Sequence, residues 1–283
     1  MRTRLRTAVA LAIAAVAALS LSTPNASAAT PTAGWNNWAC TPSAAHPEPV
    51  VLVHGLGAND LENFATLAPT LVVKGYCVYS QTYGETVLGP QAAGLAPMED
   101  SAAQLGAFVD RVRAATRAAK VDIVGHSEGT TVPAYYMKFL GGAAKVDHFV
   151  GFGANYRGTS LDGLATLASA LHLQGLLDGV GCPACAEYLP GSAFLSALDA
   201  GGVAVPGPTY TNIVSRYDTV VTPYTSGVIP GANVRNIVLQ DVCRLDFSGH
   251  LGLAVDPNVA ALVLNGLDPA HARPVVCLPF VAP

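Results

Sequence analysis

Charge and aromatic rings are both scarce in this sequence: only 12% of its 283 residues are Asp, Glu, Lys or Arg, and 7% are Phe, Trp or Tyr. With 15 basic residues against 19 acidic ones, the chain has no surplus of positive charge to neutralise phosphates, which argues against nucleic acid as a partner. Blocks of like charge, internal repeats and low-complexity linkers are all missing, so a single domain is the simplest organisation. Beyond the N-terminal segment, no apolar run approaches the roughly 20 residues that a bilayer crossing needs, so an integral membrane protein is not expected. There is no second C-x-x-C beside Cys182-Pro-Ala-Cys185 and no histidine pair at ligand spacing, which weighs against a zinc site.

The N-terminal stretch has its own character. Arg2, Arg4 and Arg6 precede an apolar run from Ala8 to Leu21, and Ala26-Ser27-Ala28 then offers small residues for cleavage. The pattern predicts a secretory signal peptide over residues 1–28 and a secreted, extracellular protein. Its removal takes away three arginines and no acid, leaving 12 basic against 19 acidic residues in a domain over 29–283. Half of the chain is hydrophobic, enough for a sizeable core. Six cysteines in an exported chain read as three disulfides. Order along the chain suggests Cys40–Cys77, Cys182–Cys185 and Cys243–Cys277, although six cysteines permit fifteen connectivities. The rival readings of the C-x-x-C pair are a redox dithiol or half a zinc site.

Short β-rich runs alternate with segments of helical period, the signature of an α/β fold with a mostly parallel central sheet of about six strands flanked by helices. The strand candidates are Val50-Val53, Tyr76-Ser80, Val121-Gly125, Val146-Phe152, Tyr210-Ser215 and Val234-Gln240. Leu105, Phe108, Val109 and Val112 recur at i, i+3, i+4 and i+7, the buried face of a helix between the second and third strands. Asp256-Pro257 announces a last helix, with Gly266 as its expected end. Residues 161–205 break the rhythm, with Leu164, Leu167, Leu171, Leu176 and Leu177 at loose helical spacing. They form either two ordinary helices covering one sheet face or an apolar cap-like insertion beside the active site.

Gly125-His126-Ser127-Glu128-Gly129 matches G-x-S-x-G, a weak signal alone but a strong one between a buried strand and a helix running from Thr131 to Leu140. Such an elbow lifts the serine hydroxyl clear of the sheet, which makes Ser127 the candidate nucleophile. Serine needs a histidine to take its proton and a carboxylate to orient that histidine. His250, in a flexible glycine-flanked loop after the last strand, is the better base; His271 reads as a surface residue, and His54 and His126 as structural. The acid is expected after the penultimate strand, at Asp218, with Asp241 and Asp246 as alternatives. The backbone N–H groups of Glu128 and Leu56 are the candidate oxyanion donors. A carboxylate aimed at an oxyanion would oppose the reaction, so the Glu128 side chain is expected to turn outward, toward solvent. No metal or organic cofactor is required by this chemistry.

At these residues the chain resembles the class 2 bacterial extracellular lipases, including the small lidless Bacillus type, and more distantly Candida antarctica lipase B. The matching stretches are Val51 to Gly55, Lys120 to Ser127, Tyr135 to Lys138, Ser215 to Asp218 with Val220-Val221, and Gly249 to Leu253. The resemblance implies an α/β-hydrolase fold, a triad of Ser127, Asp218 and His250, and oxyanion donors at Leu56 and Glu128. It also supports pairing Cys40 with Cys77 and Cys243 with Cys277. A lipase acting on ester or lipid substrate at a lipid–water interface is the first expectation, because the low charge and leucine-rich insertion suit an apolar substrate, and a monomer is expected. A soluble-ester or polyester hydrolase and a non-catalytic lipid- or partner-binding protein of the same fold are the rivals. Two departures stand out: Thr130 replaces the usual glycine after the elbow, and residues 161–205 have no counterpart in the lidless enzymes.

Overall fold

Strand β1, Val50–Val53, is buried at every position, as a strand covered on both faces must be. In the computed structural model, which describes residues 34–170 and 181–283, it lies inside a sheet with β2 (Val78–Ser80), β3 (Val121–His126), β4 (Val146–Phe152), β5 (Thr209–Val214) and β6 (Val234–Val238). All six run parallel in the order β2-β1-β3-β4-β5-β6. The expected signal peptide and Leu171, Leu176 and Leu177 lie outside the described residues.

Alternation along the strands sorts the core into two layers. Val51, Val53, Tyr79, Ile123 and Phe149 face one way, toward α3 (Met98–Thr116) and α4 (Glu128–Phe139), where they meet Leu105, Phe108, Val112, Val132 and Tyr136. Val50, Leu52, Val78, Val124, Val150 and Phe152 face the other way. There they meet Phe64 of α1 (Asp60–Phe64), Leu67 and Leu71 of α2 (Leu67–Val73), and Val259, Leu262 and Val263 of α9 (Pro257–Leu267). Each such large side chain contributes about 1.5–3 kcal/mol by leaving water.

Between β4 and β5 lie α5 (Leu161–Ala170), α6 (Pro183–Glu187) and α7 (Ala193–Asp199). Leu164, Leu167, Phe194, Leu195 and Leu198 join the α3/α4 layer. Lys138 of α4 donates to the carbonyls of Leu198 (2.5 Å), Ala200 (2.7 Å) and Gly202 (2.9 Å), a cationic side chain tying off the end of α7. The structure pairs Cys40 with Cys77, Cys182 with Cys185 and Cys243 with Cys277.

Several element ends differ from expectation. β6 stops at Val238 because the chain turns into α8 (Leu239–Val242). Helix α4 begins at Glu128, immediately after the serine, rather than at Thr131. Gly266 does not end α9; it lies inside the helix, where a Cβ would stand 2.8 Å from Val150 Cγ2. Its missing side chain lets α9 approach β4, and the helix ends at Leu267, with Asp268 and Pro269 beyond.

The strand order places the site. From β1 the chain passes to the edge at β2 and returns to β3 on the opposite side of β1, so the loops leaving β1 and β3 diverge at their C-terminal ends. A crevice opens at such a switch point in an open α/β sheet.

Candidate active site

Ser127 stands at the end of β3 with φ 55° and ψ −120°, a left-handed backbone that a residue with a side chain seldom adopts. Holding it costs about 1–3 kcal/mol, offset by the packing around it. The two glycines of the motif are steric necessities. A Cβ on Gly125 would stand 1.7 Å from the Gly129 carbonyl oxygen, and one on Gly129 would stand 1.9 Å from the Val53 carbonyl oxygen. Thr130 donates through Oγ1 to the Ser127 carbonyl at 2.7 Å. Room for its methyl exists because β4 has Gly151 opposite, so the departure at position 130 is matched by an absence of side chain there.

Ser127 Oγ lies 2.8 Å from His250 Nε2, and His250 Nδ1 lies 2.7 Å from Asp218 Oδ2. The other Asp218 oxygen accepts from the N–H groups of Val220 (2.9 Å) and Val221 (2.7 Å). Burial acts to raise the Asp218 carboxyl, but His250 and these two amides outweigh it and hold the group below its ordinary value. A charged Asp218 fixes the Nδ1–H tautomer of His250, leaving Nε2 free to accept from the serine.

The loop carrying His250 is tied to the C-terminal stretch by backbone hydrogen bonds. Phe247 and Gly249 donate backbone N–H groups to the carbonyls of Phe280 and Ala282, both at 2.8 Å, and Gly252 donates to that of Pro283. Ser215 Oγ donates to the Ser248 carbonyl at 2.6 Å from beneath. Asp246 takes no part in orienting His250: it accepts from Ser248 N and from Asn258 Nδ2. Asp241 pairs with Arg216 at the surface, and His271 pairs with Asp268.

Two further histidines frame the site. His126 Nε2 lies 3.1 Å from the His250 carbonyl and its Nδ1 lies 3.0 Å from the Asn63 side-chain amide, whose oxygen accepts from Gly55 N at 2.9 Å. Burial, then the neighbouring His250, pushes His126 down to about 3, so it is neutral. His54 is pushed down to about 4 by burial and stacks on Tyr83 with ring centroids 4.2 Å apart. Asn63 is a site residue that the sequence does not announce, since nothing in its local pattern sets it apart from an ordinary helix residue.

Gly55 brings the loop after β1 against Ser127: a Cβ there would be 3.1 Å from Ser127 Cβ. Leu56 follows, and with Ala58, Leu167, Leu251, Ala254 and Val255 it lines a cavity of about 190 Å³ that also touches Ser127 and His250. Leu167 comes from α5, so this helix both joins the core layer and supplies a wall of the cavity.

The Glu128 side chain does not turn outward. It is fully buried, and burial raises its carboxyl well above the ordinary range, helped by Glu187. With α4 starting at Glu128, the first-turn side chain points under the loop after β1, into space that the absent side chain of Gly94 leaves open.

A separate group, Asp122, Asp147 and His148, brings metal-binding side chains together at the N-terminal ends of β3 and β4, the opposite end of the sheet. These residues are already paired: Asp122 accepts from His148 Nδ1 at 3.0 Å, and Asp147 pairs with Lys120 at 2.8 Å.

The family described as Lipase (class 2) matches residues 47–260. Among solved structures, Aspergillus fumigatus lipase B is similar over 81% of this chain and 54% of its own, with 20% identity and a TM-score of 0.65. The propeptide form of Bacillus licheniformis lipase BlEst2 is similar over 85% of this chain and 53% of its own, with 18% identity and a TM-score of 0.56. A carboxylesterase of the thaumarchaeon Nitrososphaera gargenis is similar over 79% and 90%, with 17% identity and a TM-score of 0.51. The chain therefore spans about half the length of the first two. The six-stranded parallel sheet, its helical layers and the match across residues 47–260 together establish that this chain has the α/β-hydrolase fold and belongs to the class 2 lipase family.

Proposed function

We propose that this protein is an exported hydrolase of carboxylic esters, a triacylglycerol lipase with Ser127 as nucleophile, His250 as general base and Asp218 as its orienting acid. The observation that carries the reading is the unbroken line from Ser127 Oγ through both ring nitrogens of His250 to Asp218, at 2.8 and 2.7 Å. His250 takes the serine proton as Oγ attacks the ester carbonyl, and the protonated ring then gives that proton to the departing alcohol. Water, activated by the same ring, releases the acid from the acyl-enzyme. The N–H groups of Leu56 and Glu128 hold the oxyanion between these steps.

Apolar cavity walls from Leu56, Leu167, Leu251 and Val255 favour a lipid acyl chain over a charged ester. Export is supported by three disulfides, which persist in oxidising surroundings. The test is Ser127→Ala assayed with a p-nitrophenyl ester and with tributyrin emulsion. Turnover is expected to fall about 10⁶-fold on both. Retained turnover in the variant overturns the assignment. A native enzyme that hydrolyses soluble short esters but leaves the emulsion untouched is an esterase rather than a lipase.

A further inference from the structure

An acid next to the nucleophile is an awkward choice of side chain, and its surroundings in the fold are more awkward still. Glu128 is 0% exposed, and neither carboxyl oxygen has a hydrogen-bond partner among the described residues. No ion pair among those residues includes it. The titratable groups that face it are the Tyr83 phenol from the loop after β2, Glu187 at the end of α6, and the Tyr188 phenol that follows. None of the three brings a positive charge.

Its position matters as much as its isolation. The point that a Gly94 Cβ would occupy is 2.4 Å from Glu128 Oε2, 3.2 Å from the Gly55 carbonyl oxygen and 3.4 Å from the Leu56 Cα. The carboxyl therefore lies directly behind the loop that presents the Leu56 N–H. That loop is tied to the same strap by Gly57 N donating to the Ala93 carbonyl (2.8 Å) and Ala93 N donating to the Ala58 carbonyl (2.9 Å). Tyr83 links the two sides, because its hydroxyl donates to the His54 carbonyl at 2.7 Å, at the start of the loop. With that proton engaged on the His54 carbonyl, the nearby Tyr83 hydroxyl does not donate to the carboxyl, and a charged carboxylate there would be buried without a donor.

We propose that Glu128 is a positioning residue that works as a neutral carboxylic acid, leaving the Tyr83 hydroxyl on the His54 carbonyl and so holding the Leu56 loop in place. Loss of its proton turns the carboxyl into a competing acceptor for the Tyr83 hydroxyl, frees the His54 carbonyl, and sets a negative charge behind the developing oxyanion. Ionisation of Glu128 thus switches the oxyanion site off as the solution becomes alkaline. The inference rests on the ester-hydrolase reading for its kinetic consequence, though not for the protonation state itself.

The experiment compares the full chain with its Glu128→Gln and Glu128→Met variants, both neutral at this position, and with Tyr83→Phe. A carboxyl held above its unfolded pKa stabilises least at high pH, because the folded state must keep a proton that the unfolded chain releases. The melting temperature of each neutral variant is therefore expected to rise relative to the native chain as pH increases from 5 to 9. The native kcat for a p-nitrophenyl ester is expected to fall about tenfold or more on the alkaline side, the effect of one charge several ångströms from the oxyanion, with little change in KM. In Glu128→Gln that limb should move to higher pH, and Tyr83→Phe should lower kcat throughout with KM less affected. A melting difference that does not vary with pH, or an alkaline limb shared by native chain and variants, overturns the proposal. A native chain without esterase activity would sink the hydrolase reading instead, and the melting series would still judge Glu128.

Discussion

Gly151 and Thr130 share one space: a Cβ on Gly151 would come within 2.9 Å of Thr130 Cγ2. The threonine after the elbow and the glycine on β4 are two halves of one packing solution. Gly151→Ala should therefore destabilise by about 1–3 kcal/mol through overpacking. Adding Thr130→Gly should recover part of the loss, and a double-mutant cycle in denaturant measures the coupling. Additive effects would show that the two residues are independent.

Asp218→Asn should lower kcat about 10⁴-fold, because an amide no longer holds His250 in the Nδ1–H tautomer. Asp246→Asn should leave the rate within a few-fold, since Asp246 serves Ser248 and Asn258 rather than His250. Stopped assays of both variants decide the matter, and a greater loss for Asp246→Asn would transfer the orienting role.

His126 supplies a pH prediction in the acid direction. It is neutral with a value near 3, while in the unfolded chain it would titrate near 6.5. The unfolded state binds the extra proton between those values, so the stability due to neutral His126 is full above about 6.5 and is lost as pH falls toward 3. His126→Asn should melt below the native chain at pH 7, with the gap narrowing by pH 4. A constant gap would mean that His126 titrates alike in both states.

The clamp on the His250 loop can be cut at a distance. Cys277 joins Cys243, and residues 280–283 supply carbonyls to Phe247, Gly249 and Gly252. Replacing Cys243 and Cys277 together by alanine should cost about 2–4 kcal/mol of stability. Deleting 279–283 should lower kcat more than it raises KM, because it loosens the base without touching the cavity wall. Calorimetry and steady-state kinetics check the two effects, and an unchanged kcat in the deletion would show that the loop stands by itself.

Much of this arrangement was legible in the residues because it is local. A buried strand, two glycines around a serine and a helix behind them point to an elbow, and the place of Asp218 after the penultimate strand points to the residue that lies 2.7 Å from His250. What stayed hidden depends on distant backbone. The inward turn of Glu128 is decided by Gly94 and Tyr83, more than thirty residues earlier in the chain. Gly266 looked like a helix stop because glycine usually is one; here it answers to Val150 across the helix–sheet interface. The clamp from residues 280–283 uses main-chain groups alone, and main-chain hydrogen bonds leave no mark on side-chain identity.

That clamp also orders events in time. Residues 280–283 leave the ribosome after every other part of the site, so a growing chain can hold serine, carboxylate and imidazole and still have an unanchored base. On the proposed reading, ester-cleaving activity then appears only once this stretch has docked, however early the three side chains themselves are in place.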